Sequence, residues 1–586
     1  MAAAAAHLGE AAAAFGRGDH AAGRAAARAA LAVDRHSGAA QHLLALCERR
    51  LGNIEAALAA YAAARAALPG DAQVCNNFAN LLGDLGRHDE AIAEYQAAIA
   101  LAPGYGEAWC NLGLTLQSAE RIAEAVAALA EAARVQPARA ATWRALGLAQ
   151  RAVGDSAAAA ASLDQAIAVD PSQPTAWHAR ALVEGDLGGN ARAAFARARQ
   201  IAPGDRALLI DAAAFEASTG HYNAALAMLR PALQQLPDWV DAHIAVARIR
   251  WQAGDRDGYL DDWSAAIAAR PADTALALAR LAMLGRAGRW LEVAAGIGTV
   301  SGDQRSIGLA AVAADETGES ERAATLFARL PDDDAGLGLA RVRHLLRTGQ
   351  TRAAAALAEV LTRSTEGSAA WAYLASAWRL LGDPRHEWLE GDARLVSVTD
   401  LDMPDLGELA GLLRRLHVAR AQPLEQSLRG GTQTTGRLFS RAEPMLLALR
   451  DRVASAVAAH IAQLPPRDPD HPTLRQPRGR GIRFSGSWSV RLAGDGFHVA
   501  HIHSEGWLSS VCYIALPPAI GTNAAAPDGW LTLGEPPAEL GLALPPLRLV
   551  EPKPGRLVLF PSTMWHATRP FAAGERLTVA FDVVPG

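Results

Sequence analysis

Apolar positions in the first two thirds of the chain have the spacing of short amphipathic helices, and this pattern restarts at a regular interval. The apolar runs end in proline, which lacks a backbone N–H and cannot continue a helix. Helix-turn-helix texture continues to about Leu381. We therefore predict stacked pairs of antiparallel helices, about eleven of them, over a domain of residues 1–390 without strands. Seven of the prolines are separated by 34, 34, 34, 32, 34 and 34 residues: Pro69, Pro103, Pro137, Pro171, Pro203, Pro237 and Pro271.

Large and small residues recur at fixed places within this period. Trp109, Trp143 and Trp177 each stand six residues after a proline, and His243 takes the same place later in the chain. Leu-Gly follows two of the tryptophans. The Trp-x2-Leu-Gly spacing and the period of 34 residues resemble the tetratricopeptide repeat, or TPR. The resemblance implies an α-superhelix with small residues at close helix crossings and with the tryptophans mostly buried between adjacent hairpins.

A superhelix of stacked hairpins presents an extended concave surface. We expect this TPR groove to bind a protein or a peptide. The alternative is a rigid spacer or a dimerisation arm, which would need no ligand.

The pattern changes at about Leu395, where apolar and polar residues begin to alternate. Residues 406–419 and 442–462 keep the spacing of helices, but the other segments have the period of two that is typical of strands. Such a series predicts a β-sandwich or barrel over residues 391–586, and hence a multidomain α + β protein. The alternating runs are separated by turns rich in glycine and proline: IRFSGSWSVRL, FHVAHIH, WLSSVCYIALP, GWLTLG, LRLVEP, GRLVLFPS and RLTVAFDVV.

Histidines cluster in these strands. His501 and His503 are two residues apart and so face the same side of a strand, and His566 follows 63 residues after His503. Because imidazole nitrogens suit several divalent metal ions, these three histidines are the expected metal ligands and hence candidate catalytic residues. A second set replaces His501 by Glu505 and keeps one anionic ligand, although Glu505 precedes a glycine where the strand should turn. His498 is out of phase with the pair, so it is expected either to support the ligands without binding the metal or to be structural.

Several strings of the C-terminal third match one family in order: EQSLRGGTQT, SWSVRL, HIHSEGWLSS, PGRLVLFPSTMWH and ERLTVAFDV. They resemble the 2-oxoglutarate/Fe(II)-dependent oxygenases that are fused to TPR arrays. The resemblance implies a double-stranded β-helix (jelly-roll) domain, with Fe(II) and 2-oxoglutarate as cofactors and ascorbate as an optional reductant. It also implies that Arg576, ten residues after His566, binds the 2-oxoglutarate carboxylate together with Thr578 and Tyr513. An arginine fork suits a bidentate carboxylate pair, which lysine could not reproduce.

Composition limits the partners and the compartment. The chain has 56 Lys and Arg against 61 Asp and Glu, a net charge of −5, and so lacks the basic excess of nucleic-acid-binding proteins. Its four cysteines are far apart without a CxxC pair, which excludes a disulfide framework and favours a reducing compartment. The N-terminal residues lack a basic region and indicate a helix rather than a signal peptide. We expect a cytoplasmic protein that binds neither nucleic acid nor a membrane.

Two functions are compatible with these patterns. The first is a dioxygenase that hydroxylates a protein or peptide delivered by the TPR groove. The second is a non-catalytic TPR scaffold whose degenerate barrel serves as a binding module, with a zinc-binding or empty cupin-like barrel as a related case. The pair His566 and Arg576 favours the first function, because a barrel without catalysis would be free to lose Arg576.

Overall fold

The computed structural model describes residues 2–300, 302–331, 334–479, 481–518, 520 and 527–586. The chain divides into two compact units, Met1–Val183 and Glu184–Pro585. In these described ranges, no helix is both long and apolar enough to cross a bilayer. The predicted boundary between residues 390 and 391 lies inside the second unit.

The first unit consists of helices that pack in consecutive pairs. An eleventh helix, α11 (Pro174–Asp186), leads from the first unit into the second. The ten preceding helices are α1 (Ala2–Gly16), α2 (His20–Val33), α3 (Gly38–Arg50), α4 (Ile54–Ala67), α5 (Ala72–Asp84), α6 (His88–Leu101), α7 (Gly106–Ser118), α8 (Ile122–Val135), α9 (Ala140–Val153) and α10 (Ser156–Val169).

The two helices of a pair approach closely where the sequence has small residues. A Cβ atom on Gly113 would lie 2.5 Å from Cγ of Leu129, and one on Gly147 would lie 2.6 Å from Cγ of Leu163. A side chain at either position would displace the leucine or the helix that carries it. These contacts are the close helix crossings that the TPR resemblance implies.

The recurring tryptophans are largely buried, as expected, although each keeps an exposed edge. Trp109, Trp143 and Trp177 do occupy equivalent places, and each Nε1–H donates to the carbonyl oxygen of the proline six residues earlier, at 3.0, 2.8 and 3.0 Å. Those prolines are exposed, so the indole must extend to the surface to reach them. The shared offset of six residues therefore reflects a hydrogen bond as well as packing.

The helical pattern continues in the second unit as far as Leu381. No strand precedes Ser397 in the described part of the chain, so the all-helical architecture predicted for the array is confirmed. Together with α1–α11, these helices number 23 in the part of the chain that the structure describes. They are α12 (Arg192–Ile201), α13 (Arg206–Ser218), α14 (Tyr222–Gln235), α15 (Val240–Gln252), α16 (Asp261–Ala269), α17 (Thr274–Arg286), α18 (Trp290–Gly296), α19 (Gln304–Glu316), α20 (Ser320–Phe327), α21 (Ala335–Arg347), α22 (Thr351–Leu361) and α23 (Gly367–Leu381).

The C-terminal third contains an antiparallel β-sheet and two helices. The sheet order is β1-β7-β4-β9-β3-β8-β5-β6, with β2 paired to β3 outside this path. It is a curled half-barrel, consistent with the predicted double-stranded β-helix. Its elements are β1 (Ser397–Asp400), α24 (Leu406–Leu416), β2 (Leu428–Gln433), α25 (Pro444–Gln463), β3 (Ile482–His501), β4 (Leu508–Ala515), β5 (Leu531–Leu533), β6 (Arg548–Val550), β7 (Arg556–Pro561), β8 (His566–Thr568) and β9 (Arg576–Pro585).

The long strand β3 has a different neighbour in each of its halves. The runs IRFSGSWSVRL and FHVAHIH, which the sequence indicated as separate strands, form one strand of 20 residues. Its first half pairs with β9 and its end pairs with β8, where His501 is opposite His566. Between these halves Asp495 has a positive φ of 63°, and its N–H donates to the carbonyl oxygen of Phe571 at 2.7 Å. The bend therefore brings the end of β3 to the strand that carries the distal histidine.

Helices α24 and α25 cover the convex face of the sheet. Leu577, Val579 and Phe581 of β9 belong to the hydrophobic core that these helices complete. The intervening residues of β9 face the concave side, because side chains alternate along a strand. Helix α24 ends three residues before the predicted end, at Leu416, and α25 begins at Pro444, where proline is favoured in a first turn.

Candidate metal centre

Three histidines converge on the concave face of the half-barrel. His501 ends β3, His503 follows two residues later, and His566 begins β8. One ligating nitrogen of each lies within 4.8 Å of those of the other two, and the rings of His501 and His566 are centred 4.1 Å apart. Among the described residues, this is the one group of three or more His, Cys, Asp or Glu that could hold a metal ion.

The backbone two residues earlier orients two of these rings. Nδ1–H of His501 donates to the carbonyl oxygen of Val499 at 2.8 Å, and Nδ1–H of His566 donates to that of Met564 at 3.1 Å. A proton on Nδ1 leaves Nε2 with the lone pair of a neutral imidazole. Both rings therefore offer Nε2 as a ligand, in the arrangement usual for metal-binding histidines.

A carboxylate orients the third ring. Nδ1–H of His503 donates to the two carboxylate oxygens of Asp582, at 2.6 and 2.8 Å. The hydroxyl of Ser509 donates to the same carboxylate at 2.6 Å and so helps to hold it. A carboxylate behind a ligating histidine fixes its tautomer and increases its basicity.

Sequence reasoning missed Asp582, although a signal for it was present. Asp582 lies six residues after Arg576 on β9, and an even separation places both on the same face of a strand. The alternation that placed Thr578 beside Arg576 could therefore have placed Asp582 there as well.

The environment keeps two of the ligands neutral. Burial and the neighbouring His503 lower the pKa of His501 to about 3. Burial and the other histidines likewise lower the pKa of His566 well below its ordinary value. Since a metal binds the neutral form of imidazole, neither ring has to lose a proton at neutral pH.

The structure brings His501, rather than Glu505, together with the other two ligands. Glu505 is exposed in the turn that follows the strand, as its position before a glycine suggested. His498 lines the same cavity, and its ring is stacked 5.8 Å from that of His501. The chain thus presents a site of three histidines without a carboxylate ligand.

Arg576 lines the cavity that contains the three histidines. Its side chain is 1% exposed, and its Nε atom has no hydrogen-bond partner. In the described ranges, no carboxylate forms an ion pair with it. Thr578 also lines the cavity. Tyr513 is completely buried against Arg576, whose guanidinium carbon lies 5.0 Å from the ring centre, and it is not among the lining residues.

These groups fit a metal ion and an anion in one cavity. Three neutral nitrogen donors suit iron and similar divalent ions. A buried guanidinium without a partner is costly unless an anion pairs with it. Trp488, Leu531 and Phe560 form apolar walls that would limit the access of water to both.

Comparison with protein families agrees with this chemistry. Residues 486–582 match the family described as "Putative 2OG-Fe(II) oxygenase". Models of the tetratricopeptide repeat match residues 3–72 and 144–206, with further matches over 79–119 and 106–139. The protein is therefore a fusion of helical repeats to an oxygenase-family domain. The chain thus has tetratricopeptide repeats in its N-terminal part and, in its C-terminal part, a domain that matches the putative 2-oxoglutarate/Fe(II) oxygenase family.

Several solved structures, including two described as TPR proteins, are similar to part of the chain. The pilF protein of Pseudomonas aeruginosa is 19% identical over 35% of this chain and 93% of its own, with a TM-score of 0.32. YrrB, described as a TPR protein with an unusual peptide-binding site, is 24% identical over 32% of this chain and 96% of its own, with a TM-score of 0.28. Part of a TPR protein from Cytophaga hutchinsonii is 17% identical over 44% of this chain and 98% of its own, with a TM-score of 0.34. A search of curated proteins finds no significant match.

Proposed function

We propose that the chain is a 2-oxoglutarate- and Fe(II)-dependent dioxygenase that hydroxylates a protein or peptide recruited by the TPR groove. The observation that carries the proposal is the presence of three converging histidines and an unpaired, buried Arg576 in one cavity. Neither feature alone separates this function from a structural role.

Each residue of the cavity has a distinct task in this proposal. His501, His503 and His566 would hold Fe(II) through Nε2, and Asp582 would keep His503 in the ligating tautomer. Fe(II) with 2-oxoglutarate supplies the O2-dependent oxidation that hydroxylates a carbon atom. Arg576 would bind the far carboxylate of 2-oxoglutarate by a bidentate pair, which a planar fork favours.

Two further residues complete the binding of 2-oxoglutarate. Thr578 lines the cavity two residues after Arg576 and would donate its hydroxyl to the same carboxylate. Tyr513 would act by supporting the guanidinium from behind, since its ring packs against Arg576. Burial raises the pKa of Tyr513, so the phenol stays protonated.

TPR repeats generally bind proteins or peptides, and the array contains a cleft suited to an apolar side chain. The cleft lies between α17, α19 and α21, where its charged lining residues could contact a peptide backbone or polar group. Its lining includes Trp290, Leu309, Val312 and Leu337, together with Arg305 and Asp334. This cleft supports a peptide or protein as the substrate class.

The second candidate is the non-catalytic TPR scaffold with a binding module. It gives no reason for a buried arginine without an anionic partner, because such a charge destabilises the folded state. A zinc-binding barrel would account for three converging rings with free Nε2 atoms, but it would not account for the buried arginine beside them. The oxygenase is therefore the better supported function.

The test is succinate release from 2-oxoglutarate in the presence of Fe(II), O2 and ascorbate. Wild-type protein should release succinate, and His566→Ala should not, because one of three metal ligands is lost. His460→Ala is the matched control: His460 is a buried histidine of α25 outside the cavity, so this variant should retain the activity.

Turnover by the wild type that is no greater than turnover by His566→Ala would contradict the enzyme and leave the scaffold. A panel of peptides, added to the same assay, would identify a substrate through an increase in succinate release and a gain of 16 Da, the mass of one oxygen atom, on the peptide.

A cytoplasmic location, expected from the scattered cysteines, stays a prediction.

A further inference from the structure

The last helix of the array contacts the segment that carries a metal ligand. Trp565, which directly precedes His566, is 5% exposed. Its Nε1–H donates to the carbonyl oxygen of Ala372 at 3.0 Å and to the hydroxyl of Ser376 at 3.1 Å, both on α23. The ring of Tyr373 meets the indole edge-on, with centroids 5.2 Å apart.

A second contact from α23 supports the same region. The guanidinium of Arg379 donates to the carbonyl oxygen of Gly534, at the end of β5. The N–H of Gly534 donates in turn to the carbonyl oxygen of Trp565 at 2.7 Å. Helix α23 therefore holds the start of β8 directly through the indole and indirectly through the end of β5.

These contacts matter for His566 because its own strand is short. Strand β8 has three residues, and its pairing with β5 places Leu533 opposite His566. The ring of His566 is oriented by the carbonyl of Met564, and Trp565 lies between these two residues. A displacement of Trp565 would therefore change both the backbone position of His566 and the acceptor of its Nδ1–H.

The other two ligands are held from within the sheet. Val499, on the same strand, orients His501, and Asp582 of β9 orients His503. His566 is thus the ligand whose anchoring residue reaches the helical array.

We propose that α23 is a positioning element of the metal centre, which places His566 through Trp565. Trp565 and Ser376 are positioning residues, since neither lines the cavity. The inference rests on the proposed function because it takes the three histidines as the ligands of Fe(II). Its test, however, requires only that the site binds a metal ion.

The experiment is a Co(II) titration of the full-length chain, followed by the visible d–d bands of the ion. Trp565→Phe keeps a buried ring but removes the N–H that donates to α23. We expect a dissociation constant for Co(II) about tenfold higher, as for other losses of outer-shell partners, and a changed d–d spectrum. The spectrum reports coordination geometry, which a purely structural role would leave unchanged.

Trp251→Phe is the matched control. Nε1–H of Trp251, on array helix α15, donates to the carbonyl oxygen of Gln422 in the C-terminal third at 2.6 Å. This contact resembles that of Trp565 but ends on a loop that carries no ligand. The control variant should lose a similar hydrogen bond and keep the wild-type affinity and spectrum for Co(II).

Ser376→Ala tests the same link from the helix side and leaves Trp565 intact. It should shift the affinity and spectrum in the same direction, by a smaller amount, because one of two acceptors remains. If Ser376→Ala keeps the wild-type affinity and spectrum for Co(II), the inference is wrong, and this holds even if Trp565→Phe fails to fold. The inference is also wrong if Trp565→Phe and Trp251→Phe bind Co(II) equally well and with the same spectrum. Failure of the wild type to bind Co(II), or binding that survives His566→Ala, would overturn the proposed function and this inference with it.

Discussion

Asp582 determines which nitrogen of His503 is available to a metal. Its two oxygens accept from the Nδ1–H of His503, so both its negative charge and its hydrogen-bonding capacity keep the proton on Nδ1. In Asp582→Asn the charge is lost, and the amide can donate as well as accept, which permits the wrong tautomer. We expect the dissociation constant for Co(II) to rise about 10- to 100-fold in a titration. Asp528→Asn, at an exposed aspartate, is the control; an equal loss there would contradict this role.

Arg576 gives a second prediction at the level of a single residue. Arg576→Met should leave metal binding intact but weaken the binding of 2-oxoglutarate to the Co(II)-loaded protein. The loss of one partner of a buried ion pair costs roughly 3–5 kcal/mol, and 1.4 kcal/mol is tenfold in affinity, so the effect should exceed about a hundredfold. Calorimetry measures it. Arg569→Met, at an arginine paired with Glu535, should bind 2-oxoglutarate normally; similar weakening in both variants would disprove a specific contact.

Single residues of the site were predictable to different degrees. The convergence of His501 and His503 was predicted from alternation along one strand, although β3 ends at His501 and His503 lies just beyond it. Arg576 and Thr578 followed from the family resemblance. Alternation along β9 could have placed Asp582 on the face of Arg576, but its contact with His503 did not follow, because the two residues are 79 apart in sequence and meet only in the folded sheet. Tyr513 was assigned to the cofactor by resemblance, and its position behind Arg576 depends on packing that no spacing reveals.

At the scale of elements, the bend in β3 depends on a glycine that has no room for a side chain. A Cβ on Gly496 would lie 2.7 Å from the carbonyl oxygens of both Ala493 and Gly430. These are backbone atoms of β3 and β2, so both strands would have to move.

Gly496→Ala should therefore lower the melting temperature, with a loss of roughly 1–3 kcal/mol in the free energy of unfolding, as for other overpacked sites. Gly407→Ala is the control, because a Cβ there meets nothing within 4 Å and alanine favours the helix α24. Thermal unfolding should show a loss for the first variant and none for the second. Equal stability of the two would mean that β2 and β3 adapt to a side chain at the bend.

Long elements were easier to predict than short ones. The helices of the array and the longer strands have enough residues to show a period. Strand β8 has three residues and β2 contains consecutive glycines, so neither has a period to detect. The two runs that join in β3 are separated in sequence by glycines that are typical of a turn. In the fold, β2 pairs with β3 on both sides of the bend, and Phe571 accepts the N–H of Asp495 at the bend, so the strand stays continuous.

At the scale of the molecule, array helices and the oxygenase domain share one compact unit from Glu184 onward. The segment after α24 contacts the array through one carboxylate. Glu425 pairs with Arg248 of α15 at 2.6 Å and with Arg286 of α17 at 3.1 Å. Although burial opposes its ionisation, the hydrogen bonds and charges of these arginines hold the pKa of Glu425 below its ordinary value. Because that pKa is lowered, this contact stabilises the unit above about pH 4.5, the ordinary value, and is lost as the pH falls further.

The oxygenase domain should therefore depend on the repeats beside it. A fragment of residues 391–586 exposes Trp565 and leaves Glu425 without its arginines, so we expect a lower melting temperature and weak Co(II) binding. A fragment of residues 184–586 keeps these contacts and should behave like the full chain in thermal unfolding. Equal melting temperatures for the shorter fragment and the full chain would show that the repeats are not required.

Sequence patterns identified two kinds of architecture but could not reveal how they are joined. The change of period near residue 395 marks where helices give way to strands. The contacts across that point run largely from side chains to backbone carbonyls, as from Trp565 to Ala372 and from Trp251 to Gln422. Backbone acceptors have no sequence signature, so such contacts can be found only in the folded chain.

The unpaired guanidinium in the cavity would couple the stability of the fold to any anion that binds there. A ligand that pairs with Arg576 binds the native state and not the unfolded chain, and so should stabilise the fold by about 2.7 kcal/mol at a hundred times its dissociation constant. With metal bound, 2-oxoglutarate should raise the melting temperature of the wild type, acetate should not, and Arg576→Met should respond to neither. An equal shift in Arg576→Met would assign the stabilisation to another site. In a cell, the survival of this protein against proteolysis would then vary with the concentration of the small diacid that it uses.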